Sequence, residues 1–166
     1  MRHTIALLAF VFSSVSSGAP AKSQSVYVPD LECVGGELGL RLPSDIRELK
    51  RLSQPVKQEL IEVENWPGYT ATWNLLHFDG LTLGVVEFSN DPARYLLFFA
   101  SVASPTWNGL SPIQLMQPIS QAAAVLGTYA IDNPGLSWPF EDEGDTLTIH
   151  SREGLVSEVI YQCYPG

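Results

Sequence analysis

The period of apolar and polar positions changes several times along this chain, and each change marks an element. From Ile5 to Phe12 the chain is continuously apolar. With Arg2 and His3 ahead of it and the small residues of "APA" (19–21) behind, this run has the layout of a secretory signal peptide, Ala21 being the expected last residue removed. It is much shorter than the ~20 residues of a membrane span, and no cysteine stands directly behind it as in a lipoprotein signal, so neither a membrane span nor a lipid anchor is expected. Residues 22–166 are read as a single exported domain. Its first residues, "KSQS" (22–25), read as a frayed terminus, and "SVYV" (25–28) opens a strand leading through Pro29 to Cys33, ended by Gly35-Gly36.

Helical periodicity follows. In "LPSDIRELKRLS" (42–53), Ile46, Leu49 and Leu52 recur on one face, and Pro43 suits a first helical position. "QPVKQELIEVEN" (54–65) fits a further helical turn or a strand. "YTATWNLLHF" (69–78) and "LTLGVVEFS" (81–89) flank Asp79-Gly80, a strong hairpin signal. After Asn90-Asp91-Pro92, the long apolar run "RYLLFFASVAS" (94–104) predicts a strand in mid-sheet, buried on both faces. A link (105–112) leads to a helix over Ile119–Leu126, divided from what precedes by Pro118 and stopped at Gly127 in a left-handed cap. A polar loop (128–137) precedes a last hairpin, "DTLTIHS" and "GLVSEVIYQC", with Glu153-Gly154 in its turn.

The two halves can be superposed at shifts of 72 to 74 residues. Leu42, Ile46, Leu49 and Leu52 fall on Leu115, Ile119, Ala122 and Val125; Trp66-Pro67 falls on Trp138-Pro139; Val85-Val86 falls on Val159-Ile160. A rival register sets "QPVKQ" (54–58) on "QPISQ" (117–121). The expected fold is α+β: two tandem helix-plus-antiparallel β-meander halves, about 26–92 and 93–166, each too small to bury its apolar face alone and so sharing one core. Trp66 and Trp138, at equivalent positions, are assigned to that core.

The unit of helix, Trp and strand–Gly–strand hairpin resembles the repeat of the β-lactamase inhibitory protein and of the small outer-membrane assembly lipoproteins called SmpA/OmlA. The first half carries it as "LPSDIRELKRLSQP…W…W…FDGLTLGVVEF" and the second as "ISQAAAVLG…W…LTIHSREGLVSEVIYQC". By analogy the resemblance implies a tandem architecture and an inhibitor-like role.

Charge narrows the partners. The chain carries a formal charge of −9, which becomes −10 when Arg2 leaves with the leader. Nucleic acid and anionic membranes are disfavoured as ligands, since both require neutralisation of phosphates. Cys33 and Cys163, near the two ends of the mature chain, are read first as one disulfide in an oxidising compartment; a metal site or a reactive thiol is the alternative.

The remaining candidate chemistry is sparse. His77 and Asp79 flank a hairpin turn and His150 lies in the matching hairpin, but no nucleophile motif accompanies them, and polar strand ends are the simpler reading. Glu141, Asp142, Glu143 and Asp145 form an acidic loop suited to a basic partner, or to a weak calcium site, although the spacing of a calcium loop is absent. Arg47, Lys50 and Arg51 concentrate positive charge on the first helix, as a docking patch or simply as its solvated face. Trp107 in "SPTWNG" has no repeat counterpart and is the candidate exposed aromatic. No dinucleotide, P-loop or zinc-protease signature is present, so no cofactor or metal is expected. These features suit a soluble periplasmic or secreted protein that acts on an envelope protein by contact, as an inhibitor or immunity protein would. The alternative is an envelope small-ligand binder or hydrolase using His77 and Asp79.

Overall fold

In the computed structural model, residues 22–27, 31–53, 57–127 and 145–164 are described, the first segment by its backbone alone. Residues 1–21, which the sequence reads as a leader, and Glu141, Asp142, Glu143 and Trp138 lie outside them. Seven strands form one antiparallel sheet: β1 (Lys22–Tyr27), β2 (Lys57–Trp66), β3 (Tyr69–Phe78), β4 (Leu81–Phe88), β5 (Asp91–Val102), β6 (Thr146–Arg152) and β7 (Leu155–Gln162). Two helices, α1 (Ile46–Leu49) and α2 (Ile119–Leu126), complete an α+β fold. Strand order across the sheet is β1-β6-β7-β5-β4-β3-β2.

Both expected hairpins form. β3 and β4 pair from Ala71 opposite Phe88 to Phe78 opposite Leu81, across the two-residue Asp79-Gly80 link. β6 and β7 turn at Glu153 (φ 55°) and Gly154 (φ 78°), the two consecutive positive φ values that a tight hairpin turn matched to strand twist requires. The ambiguous 54–65 segment resolves as the strand β2, whose neighbour in the sheet is β3. "KSQS" is not frayed: Lys22 to Ser25 pair with Ser151 to Thr148 of β6.

β5 takes the middle place that its apolarity predicts, between β4 and β7. Its burial is one-sided, however. Leu97, Ala100 and Val102 are buried, whereas Leu96, Phe99 and Ser101 on the other face are half-buried. The buried face is continuous across five strands. Leu76, Leu83, Ala100, Tyr161 and Leu147 form one row, and Phe78, Leu81, Val102, Val159 and Ile149 form the next. Withdrawing each such leucine or valine from water is worth ~1.5–3 kcal/mol.

The layer over this face consists of residues 31–40, α1, the 111–115 segment and α2, which contribute Leu40, Ile46, Leu49, Ile113, Ala122 and others to the same core. α1 is shorter than the predicted 42–53 helix. Asp45 caps it by accepting from the Arg47 amide at 2.8 Å, so the helix begins at Ile46. Pro43 stays outside, its carbonyl accepting the Tyr95 hydroxyl at 2.6 Å. α2 spans the predicted Ile119–Leu126, but Gly127 closes it at φ 55° and ψ -122°, positive in φ yet outside the left-handed helical region. The proposed repeat partners diverge in burial: Leu52 packs on the core, whereas Val125 is exposed and Leu126 is buried in its place.

Two inward side chains at the end of β7, Tyr161 and, one residue past the strand, Cys163, fasten the covering layer. Cys163 is bonded to Cys33, with Cα atoms 6.2 Å apart across 130 positions of sequence. Tyr161, fully buried, donates its hydroxyl proton to the Leu38 carbonyl at 3.0 Å and receives the Ser111 hydroxyl at 3.1 Å. Burial pushes the Tyr161 phenol up to about 12, partly offset by Ser111.

Two outcomes follow for stability. Replacing Cys33 and Cys163 together by Ser is expected to cost ~2–5 kcal/mol in urea unfolding, because the denatured chain regains the freedom of a very long loop. Tyr161→Phe is expected to cost ~1–3 kcal/mol, since the Leu38 carbonyl loses its buried donor. The raised phenol of the parent stabilises the fold fully below about pH 10 and loses that contribution as pH climbs toward 12; the Phe variant should lack this alkaline component.

Candidate functional site

Strand alternation sends every second side chain to the face opposite the core, and there the sheet carries its accessible chemistry. Its cross-strand rows run Glu62–Trp73–Val86–Leu96, then Glu59–Leu75–Gly84–Phe99–Gln162, then Lys57–His77–Thr82–Ser101–Ile160. Most of these side chains are half-buried. Every large residue of the buried cluster belongs to the other face or to the layer over it.

An irregularity in β5 concentrates aromatic area at the centre. Gly84 pairs with Phe99 but Val85 pairs with Leu97, so Phe98 is one residue in excess. The Phe98 carbonyl receives the Cys163 amide at 2.9 Å. Its ring lies over Gly84, where an added Cβ would stand 2.6 Å from the ring. The same ring packs on Trp73 with centroids 5.0 Å apart and planes at 52°, a tilted contact. The Trp73 indole N–H has no acceptor among the described residues.

Polar groups flank this pair. His77 approaches Glu59 at 3.3 Å through Nε2 and the Thr82 hydroxyl at 3.4 Å through Nδ1. The order acid, imidazole, hydroxyl is that of a catalytic relay, but both contacts are long, and neighbouring backbone amides are engaged in the ladder. Asp79 contributes a backbone carbonyl to Trp107, and its neighbour His77 has Glu59 and Thr82 as its bonding partners instead. His150, opposite Glu158 on β6, shares the face with His77 but stands four strand spacings away, about 19 Å. Ser101 donates to Glu158 at 2.6 Å.

The other sequence candidates are dispersed. Trp107 is half-buried: its N–H donates to the Asp79 carbonyl at 2.7 Å, and its ring meets Phe78 edge-on at 5.8 Å, so it braces the β3–β4 turn. Arg47 forms an ion pair with its own cap, Asp45, and that guanidinium holds the Asp45 carboxyl down to about 2. Lys50 reaches across to both Glu87 oxygens at 2.8 Å and, with Asn74 donating to Glu87 at 2.9 Å, clips α1 to the sheet. Arg51 is exposed. These bases belong to the covering layer and lie on the opposite side of the sheet from Trp73. Asp145 accepts from the Tyr164 amide.

Trp66 is a correction to the core assignment. It is 53 % exposed at the end of β2, stacked on Tyr69 at 6.4 Å, with its N–H on Glu64 at 3.0 Å. An edge strand has no second neighbour to cover such a ring. Sequence reasoning missed the Trp73–Phe98 pair, although period-two placement of Trp73, Leu75 and His77 carries the signal. At the meander end, Gln58, Thr72, Asn74, Glu87, Phe88 and Arg94 line a shallow cleft of about 260 Å³. Among the described residues no cluster of three or more His, Cys, Asp or Glu side chains is placed to hold a metal ion. No helix among them is long and apolar enough to cross a membrane.

Gly84→Ala is expected to push the Phe98 ring off Gly84 and separate it from Trp73. Near-UV circular dichroism should lose the Trp73 signal, at a cost of ~1–3 kcal/mol in stability from overpacking.

Comparison of the chain with protein-family models, with curated proteins and with solved structures gives no match.

Proposed function

We propose that this chain is an exported, soluble binding protein that acts by contact with another protein, an inhibitor or immunity protein of an envelope enzyme, and that it binds through the open face around Trp73 and Phe98. The observation that carries the reading is the half-buried Trp73–Phe98 pair, which joins β3 to the central strand β5 on the face opposite the core. Large aromatics near the centre of a contact surface supply most of the energy of protein interfaces. The disulfide is in keeping with an exported protein. The two hairpins β3–β4 and β6–β7 each set their second strand against β5. That arrangement supports descent from a duplicated helix-plus-hairpin unit.

Affinity capture from envelope extract at low salt tests the proposal. The mature chain is expected to retain one protein partner, and Trp73→Ala with Phe98→Ala to weaken retention ~30-fold or more while leaving the chain folded. Recovery of no partner would count against it. Replacing His77 and His150 together by Ala should leave capture and phenotype intact; loss of phenotype with capture preserved would favour the hydrolase alternative.

A further inference from the structure

The edge strand β2 stands apart from the rest of the sheet. Nine of its ten residues are exposed, and four of the exposed large hydrophobics among the described residues lie on it: Leu60 (60 %), Ile61 (53 %), Val63 (46 %) and Trp66 (53 %). Among the described residues its sole strand neighbour is β3, so its outer backbone N–H and C=O groups have no ladder partner. Exposed edges of this length are templates for strand addition.

The side chains of β2 sort by face. Glu59, Glu62 and Glu64 stand opposite Leu75, Trp73 and Ala71, on the open face. Leu60 and Val63 stand opposite Asn74 and Thr72, on the other. The extra residue at Ile61 restores this sorting across the irregularity between Leu60 and Glu62. Lys57 and Trp66 share the glutamate face, Lys57 at 3.9 Å from Glu59, and Gln58 and Asn65 share the other. An added strand would therefore meet three carboxylates and one lysine beside Trp66 on one side, and Leu60 and Val63 between Gln58 and Asn65 on the other.

A second copy of the chain does not fit this edge. Antiparallel pairing of β2 with itself puts both glutamate rows on one face of the joined sheet, in a chain already at −9. Like charges across neighbouring strands are destabilising. The same glutamates favour a cationic occupant.

From this complementarity we infer that β2 receives an extended segment of the partner protein as an eighth strand, one with Lys or Arg at alternate positions and apolar residues between them. The inference rests on the protein-contact reading and names the chemistry of the partner. Carboxylates that bar self-association serve at the same time to select the partner. The added strand continues the open face sideways, next to Trp73 through Glu62.

The test uses the full mature chain and a synthetic peptide of the length of β2, with lysine at alternate positions and valine or threonine between, beside its glutamate counterpart. The lysine peptide is expected to slow amide hydrogen exchange over residues 57–66. Its affinity should fall about tenfold in E59Q/E62Q/E64Q, and E59K/E62K/E64K should take the glutamate peptide instead. Equal binding of both peptides, protection outside β2, or β2-mediated dimerisation of the chain alone would overturn the inference. If the peptides fail while Trp73→Ala still abolishes capture of the envelope partner, strand addition is wrong and the protein-contact reading survives. If capture fails as well, both fall.

Discussion

Everything in this fold depends on how its covering layer is held to one face of the sheet. That layer has few regular hydrogen bonds: one helix of four residues, one of eight, and irregular segments between them. Loops of this kind gain little from backbone cooperativity and must be fastened by side chains. The fastening occurs at the end of β7, where Tyr161 binds Leu38 and Ser111, and Cys163 binds Cys33. By chain-entropy arguments a loop of over a hundred residues closed by a disulfide gains ~5 kcal/mol, less strain and residual denatured structure. That is comparable to the whole net stability of a domain this size.

The same end of β7 reaches through to the other face. The Cys163 amide bonds to the carbonyl of Phe98, the residue in excess on β5, and the Phe98 ring crosses Gly84 to meet Trp73. The aromatic centre of the open face is thus coupled by backbone hydrogen bonding to the residue that anchors the core layer. Rigid support of this kind lowers the entropy lost when a surface binds.

Charge follows the same division into faces. Lys50 and Arg47 are consumed by structural contacts, one to Glu87 on the sheet and one to the helix cap. Glu59, Glu62 and Glu64 instead line the exposed edge, where they discourage stacking of like sheets and leave the open face acidic at one end. Of the basic groups singled out around α1, Arg47 and Lys50 serve the fold, whereas Arg51 is exposed. The edge glutamates also cluster along the chain as a second acidic group, but only strand pairing puts them together on one face of a sheet edge.

The sequence alone determined the local elements. Both hairpins, α2 and the central place of β5 follow from period, turn residues and apolar run length, because these are short-range constraints satisfied within about ten residues. The pairing of Cys33 with Cys163 also follows, since only two cysteines exist. Only the tertiary structure decided what depends on neighbours distant in sequence. Pairing with β6 turns the supposed fraying of "KSQS" into a strand, and the Tyr95 hydroxyl engages the Pro43 carbonyl outside α1. Trp66 is exposed because β2 is an edge, and Trp107 is drawn onto the β3–β4 turn by a carbonyl 28 positions away. The open face itself is invisible along the chain. An alternating strand tells which residues share a side, but which side is covered depends on where the loops return, and that is fixed by contacts such as Tyr161 with Leu38, 123 positions apart.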